Sequence, residues 1–300
     1  MSIQADISRA SGFLKKIIEE NLNEKESEWI RSQETKLRSD GKPQIFYLAF
    51  SFSSRFIRKE KLQLAPEQLA EADEIRQGFQ CEHWNLLQLV RTYFLLTYPY
   101  QDEKTYMEQL TKLYETADID EQITLYSALP LLPYPEELTR RAAEGIRTNI
   151  TAVFDAIALD NPYPHDFLDQ NPWNQMVLKA VFMQRPLYKI YGADQRKNPE
   201  LGQMLVDFAR ERWAAHRKVT PELWRFVGPF VNEEILSDIS KVIQSDDLLE
   251  RKAGFMALAA SDLVEAQALL DEHPEIKENI KSGKLNWILI GKEVENTPQE

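Results

Sequence analysis

Three hundred residues, 43% of them hydrophobic, can bury a sizeable core, and a formal net charge of −12 opposes non-specific binding to nucleic acid or to an anionic membrane surface. Ten glycines against fifteen prolines leave few positive-φ positions for hairpin turns, which argues against a sheet-rich fold. The single cysteine, Cys81, excludes an internal disulfide framework and a cysteine-rich zinc site, and it fits a reducing compartment.

Helical periodicity runs through the chain. The opening residues lack a basic stretch followed by an apolar one, so no secretory signal is expected. Ile7, Phe13, Leu14, Ile17, Ile18 and Leu22 then form one stripe at three- and four-residue spacing, with Lys15, Lys16, Glu19 and Glu20 outside it. Gly41-Lys-Pro is expected to close a second helix around Trp29 and Leu37. A third helix, over 45–57, is apolar on most sides and is expected to be buried. Helices over 67–77, 84–97, 104–116 and 121–131 follow. The most apolar stretch, 84–98, is interrupted by Asn85, Gln88 and Arg91, so no membrane span is expected and the protein is assigned to the cytoplasm.

Start signals recur. Asn171-Pro172, Asn198-Pro199 and Thr220-Pro221 each place a capping side chain before a proline, and 118–121 and 247–250 have capping-box spacing. So many short helices predict an all-α fold. Residues 121–129 align with 250–258 through an aromatic-x-Ala-Leu ending, and each is followed by an amphipathic segment, 136–146 and 263–270. That pattern fits stacked helical hairpins, a HEAT-like α-solenoid; an irregular helical array is the alternative. One helical domain is expected over 1–290, with a polar, aperiodic and disordered tail over 291–300.

Charge is uneven. Between Arg185 and Asn232 there are nine lysines and arginines against five acids, whereas acids predominate after Glu233. A basic centre suits an anionic ligand or an acidic partner; alternatively its charges pair with neighbours on solvated helix faces.

Motifs for catalysis are missing. His83, His165, His216 and His273 are scattered, and His165-Asp166 is a poor metal pair because adjacent residues on an irregular turn rarely point at one ion; a solvated or turn-bonding histidine is expected. There is no nucleophile elbow, glycine-rich phosphate loop or dinucleotide fingerprint. The acid pairs at 136–137 and 246–247 stand at helix starts, where they complement the dipole. No catalytic residue, metal or cofactor is therefore expected.

The segment 160–182 stands out. A proline-stiffened turn leads into a helix in which Trp173, Met176, Val177, Ala180 and Val181 make one face, with Leu178 and Phe182 off it. Little solvated surface is left for Asn174, Gln175 and Lys179, and buried polar groups are expensive unless paired. They line an apolar groove and contact a ligand or partner, or they bond the backbone of the 162–164 turn and lock it. In the next helix, Arg212 and Trp213 are residue types enriched at binding hot spots, though arginines also snorkel along amphipathic helices.

Asn161-Pro-Tyr-Pro, Trp173-Asn-Gln-Met-Val-Leu-Lys-Ala180, Arg185-Pro-Leu-Tyr-Lys-Ile190 and the block 198–215 together resemble the EboA family over residues 160–231. The resemblance implies a role in bacterial secondary-metabolite traffic towards the periplasm, beside cluster companions that include a membrane prenyltransferase-like protein. It carries over no catalytic residues; Asn161, Tyr163, Trp173, Asn174, Gln175 and Lys179 are the positions that mark the family. The expected activity is non-catalytic binding of a partner protein of the same cluster, or of an apolar small molecule, through Asn161, Tyr163, Trp173, Asn174, Gln175, Lys179, Arg212 and Trp213. The alternatives are an enzyme of the same pathway, its site built from scattered acids, arginines and tyrosines, and a general helical-repeat adaptor. Nucleic acid is not an expected partner.

Overall fold

The computed structural model describes residues 4–40 and 42–297. Among these residues are eighteen α-helices, several 3-10 turns and one isolated bridge between Lys61 and Asn85, so the chain is all-α. It divides into two compact units, Met1–Leu168 and Asp169–Glu300.

The first unit is organised around the helix Leu86–Thr97. Asn85 caps its start by accepting from the Gln88 N–H at 3.0 Å. Ten of its twelve residues are buried, because the helices Ile7–Asn21, Glu24–Asp40, Pro43–Phe52 and Ile119–Ser127 all pack on it. The predicted stripe of the first helix faces inward, with Phe13, Leu14, Ile17 and Ile18 buried. Each such side chain contributes about 1.5–3 kcal/mol on leaving water. Arg91, which breaks the apolar run, is only 1% exposed. Its Nε donates to the Phe50 carbonyl at 3.2 Å and to Ser53 Oγ at 3.3 Å, and Glu121 faces its Nη2 at 3.5 Å. Those partners offset the desolvation of a buried cation.

Two expectations need correction here. The helix predicted over 45–57 ends at Phe52 and tightens into a 3-10 turn, Ser53–Arg55. It is also amphipathic in practice: Phe46, Ala49 and Phe50 point inward, whereas Leu48, Phe52 and Phe56 are 40–50% exposed. Gly41, the expected stop of the second helix, lies outside the described residues. The cap pattern fares better. Asp118 accepts from the Glu121 N–H at 2.8 Å while Glu121 accepts from the Asp118 N–H at 3.1 Å, a reciprocal box.

In the second unit the helix Leu248–Ala259 is the centre. It packs against Trp224–Val227, Glu233–Ile243, Val264–Asp271, Pro274–Lys281 and Trp287–Asn296. Small residues make the approach possible: a Cβ on Gly254 would stand 2.7 Å from Ile243 Cγ2, and one on Gly228 would stand 3.0 Å from the Ala257 carbonyl. Of the two aligned repeat segments, the second forms a helix pair, Leu248–Ala259 with Val264–Asp271. In the first, Ile119–Ser127 has Thr151–Ala158 as its main partner.

The expected disordered tail is instead helical to Asn296. Asn286 caps that last helix, Trp287, Ile290 and Gly291 are buried, and its acids are used, Glu293 by Lys252 and Glu295 by Lys189. Polarity alone misled, because the acids pair within the unit. Residues 298–300 of the expected tail lie outside the described residues. Among the described residues, no helix is long and apolar enough to cross a membrane.

Candidate functional site

The expected site residues fall into both units. In the first, Asn161 and Tyr163 build the proline-stiffened turn. Asp160 enters it at φ +51. Asn161, 4% exposed, donates through Nδ2 to the carbonyls of Tyr126 at 3.1 Å and Ala156 at 2.9 Å, while its Oδ1 accepts from the Tyr163 N–H at 3.0 Å. Tyr163 is fully buried and donates to the Pro135 carbonyl at 2.5 Å; burial, with the charge of Glu136 added, raises its hydroxyl pKa. The turn is thus locked by Asn161 itself.

The polar trio of the second unit separates. The helix is Gln170–Phe182, with Asp169 at the cap position, so Asn171 is inside the first turn and Pro172 sits where its missing N–H leaves no helical bond unmade. Asn174 is 1% exposed and satisfied: its Nδ2 donates to Asn198 Oδ1 at 3.2 Å and Glu200 Oε2 at 3.3 Å, and its Oδ1 accepts from Asn198 Nδ2 at 2.9 Å. Asn198 in turn caps the helix Pro199–Ala214 by accepting from the Leu201 N–H at 3.0 Å. Asn174 therefore fixes the start of the next helix. Gln175 is exposed, and Lys179 is half-buried, its pKa lowered by desolvation. Trp173 is fully buried, with the Arg196 guanidinium 4.8 Å from its ring centre. Phe182, expected to help crowd the polar side chains out of solvent, is 71% exposed.

Arg212 and Trp213 end the following helix. Arg212 donates through Nε and Nη2 to the Lys218 carbonyl at 3.1 and 3.0 Å, closing the loop after the helix. Trp213 stacks on Trp224 at 5.7 Å, and Lys241 lies 5.8 Å from its ring centre. Four of the nine bases of the basic centre pair with acids of their own unit. Arg210 pairs with Asp238 and Glu234, Lys189 with Glu295, and both Arg225 and Lys197 with Asp194. Burial opposes the ionised form of Asp194, but these two cations outweigh it and hold the carboxyl well below its usual range.

Two further clusters rest on long-range contacts. His165 and Asp166 do meet: His165 Nδ1 lies 2.7 Å from Asp166 Oδ1, and the other carboxylate oxygen takes Arg76 Nη2. Arg76 and Asp166 are 6% and 11% exposed, His165 24%. The Asp166 carboxylate thus lies between His165 and the buried Arg76, the latter a long-range contact that local spacing does not reveal. Among the described residues, no group of three or more His, Cys, Asp or Glu is placed to hold a metal.

The second cluster is Glu222, 1% exposed. Its carboxyl accepts from the Leu187 N–H at 3.1 Å and the Tyr188 N–H at 2.5 Å, at the start of the 3-10 turn Leu187–Lys189. Burial raises its pKa to about 7 against the opposing pull of those N–H groups and Arg225. The sequence offered only a capping-type Thr-Pro-Glu string at this place.

No curated protein and no solved structure matches the chain. Residues 10–228, however, match the family described as metabolite traffic protein EboA, a span that reaches far upstream of the 160–231 motifs. The locked turn, the Asn174–Asn198 clamp and the Glu222 carboxyl all fall inside that span, and the chain belongs to the EboA family.

Proposed function

We propose that this metabolite traffic protein acts by recognition, docking a partner protein on the outer face of the helix Gln170–Phe182. The observation that carries this reading is Phe182, 71% exposed at the end of a helix whose inner face is wholly buried. Gln175, Leu178 and Phe182 follow at the i, i+3, i+7 spacing of one helical face. A projecting aromatic side chain suits insertion into a pocket on a larger partner, whereas a small apolar molecule needs a cavity around itself. The partner is accordingly a protein of the same metabolite-traffic system with an apolar pocket rimmed by hydrogen-bonding groups. In this reading the protein is non-catalytic and cytoplasmic. Trp173 and Asn174 support the face from beneath, Arg212 and Trp213 hold the end of the neighbouring helix, and Asn161 and Tyr163 keep the turn of their own unit in shape.

A photo-crosslinking amino acid placed at position 182 in cells tests this. One discrete crosslinked protein, lost when Gln175 and Leu178 are changed to Glu, is the expected result. Crosslinks only to lipid or metabolite, or none while metabolite distribution is unaffected by Phe182→Asp, would overturn it.

A further inference from the structure

Glu222 occupies an unusual position for a carboxyl. It lies at a three-way junction where the turn Leu187–Lys189, the turn Pro221–Leu223 and the last helix, Trp287–Asn296, meet. The helix crosses at Gly291, and a Cβ added there would stand 2.7 Å from Glu222 Oε1 and would also strike the Tyr188 ring. Nothing larger than glycine fits, so the helix seats directly on the acid. The same helix brings a second acid to the junction: Glu295 accepts from the Tyr188 hydroxyl at 2.5 Å and from Lys189 Nζ at 2.8 Å.

We propose that Glu222 is a proton-operated latch for the last helix: protonated, it seats Trp287–Asn296 on the Leu187–Lys189 turn; ionised, it loosens that helix and uncovers the turn. The charged and titratable groups around it are Tyr188 and Lys189 from the 187–189 turn, Arg225 from the helix Trp224–Val227, and Glu295 from the last helix. From Leu248–Ala259, which also packs on the junction, Lys252 is engaged with Glu293. Arg225 offsets a charge on Glu222, but it is already committed to Asp194 through two hydrogen bonds. An ionised Glu222 is therefore opposed first by its own burial and, more weakly, by the like charge of Glu295. The direction follows from linkage. A carboxyl that ionises less readily folded than unfolded contributes stability that is fully present below its unfolded pKa. That contribution is lost as pH rises through the folded value, here the interval from about 4.5 to about 7.

The inference is independent of the docking face on Gln170–Phe182, and either can fail without the other. Hydrogen exchange of the full chain, read by mass spectrometry over peptides within 287–297 and corrected for intrinsic rates, tests it. Between pH 6 and pH 8 protection of these peptides should fall by up to about tenfold in the natural protein, the factor carried by one pKa unit. In Glu222→Gln, a permanently uncharged side chain, it should stay nearly flat; the histidines are present in both proteins, so the difference isolates Glu222. Equal protection at both pH values, or the same loss in Glu222→Gln, would overturn the latch. Should that variant lack a cooperative thermal transition, the carboxyl carbon resonance of Glu222 in the natural protein decides. Titration near neutrality upholds the proposal, and titration in the ordinary carboxylate range removes it.

Discussion

Replacing Asn174 by Ala separates a clamp from a contact residue. The change deletes two amide–amide hydrogen bonds with Asn198, at 3.2 and 2.9 Å, and a longer one to the Glu200 carboxylate at 3.3 Å. A neutral bond is worth about 0.5–1.5 kcal/mol net, and one to a charged group somewhat more when well formed. Asn198 keeps its bonds to the Leu201 N–H and the Arg196 carbonyl, and Glu200 keeps Gln170, so no partner is left wholly orphaned. The loss should therefore be about 2–4 kcal/mol, near the sum of the bonds without a further desolvation penalty. Urea denaturation followed by tryptophan fluorescence reports on it, since four of the six tryptophans, Trp173, Trp213, Trp224 and Trp287, belong to the second unit. Gln175→Ala, on the exposed face of the same helix, should change stability by less than about 0.5 kcal/mol. An Asn174→Ala midpoint indistinguishable from that of the natural protein would refute the clamp.

Four further outcomes are expected. Trp173→Ala should lose about 3–5 kcal/mol, because the side chain is fully buried, so calorimetry should show it unfolding at a markedly lower temperature. Gly145→Ala should destabilise the first unit by about 1–3 kcal/mol in urea, since a Cβ there would stand about 2.5 Å from the Tyr126 ring and 2.6 Å from Ile157. Cys81 is buried, and burial pushes its thiol up to about 12; a chromogenic disulfide reagent should label it only upon unfolding, and oxidants should leave activity unchanged. On the acid side, Asp194 is held low by Arg225 and Lys197 against the pull of burial, so its stabilising contribution is present at neutral pH and lost as pH falls through its folded value. Asp194→Asn should flatten that part of the acid-denaturation curve.

Most helices were legible because their signals are local. Asn198, Asp118 and Asp247 all cap as spaced, and the stripe from Phe13 to Ile18 faces inward as its period requires. What escaped was set at long range. Asn171-Pro172 looked like a cap, yet helix geometry extends back to Gln170, with Asp169 at the cap position. The excess of bases between Arg185 and Asn232 looked like a binding surface. In the fold, Asp238 and Glu234 from the acidic C-terminal stretch come back to meet Arg210, and Glu295 meets Lys189, so the two lopsided segments partly offset each other. Of the trio in Gln170–Phe182, only Asn174 is enclosed. Periodicity identified the inner face correctly but could not show that Phe182, apolar by type, is left in water. His165 was expected to be solvated or to bond within its turn, and it meets Asp166 there; what the spacing could not show is Arg76, far upstream, on the other carboxylate oxygen.

The family-matched span stops at residue 228, in the middle of a knot of apolar side chains. Trp224, Phe226 and Val227 are buried at that point, and the helix that packs over them, Leu248–Ala259, comes from outside the match. A fragment cut to the matched boundaries would bare that knot and invite aggregation. Mutational or interaction studies on such a fragment would then report on exposed grease instead of on recognition, so any dissection of this protein should keep the residues beyond 228 attached.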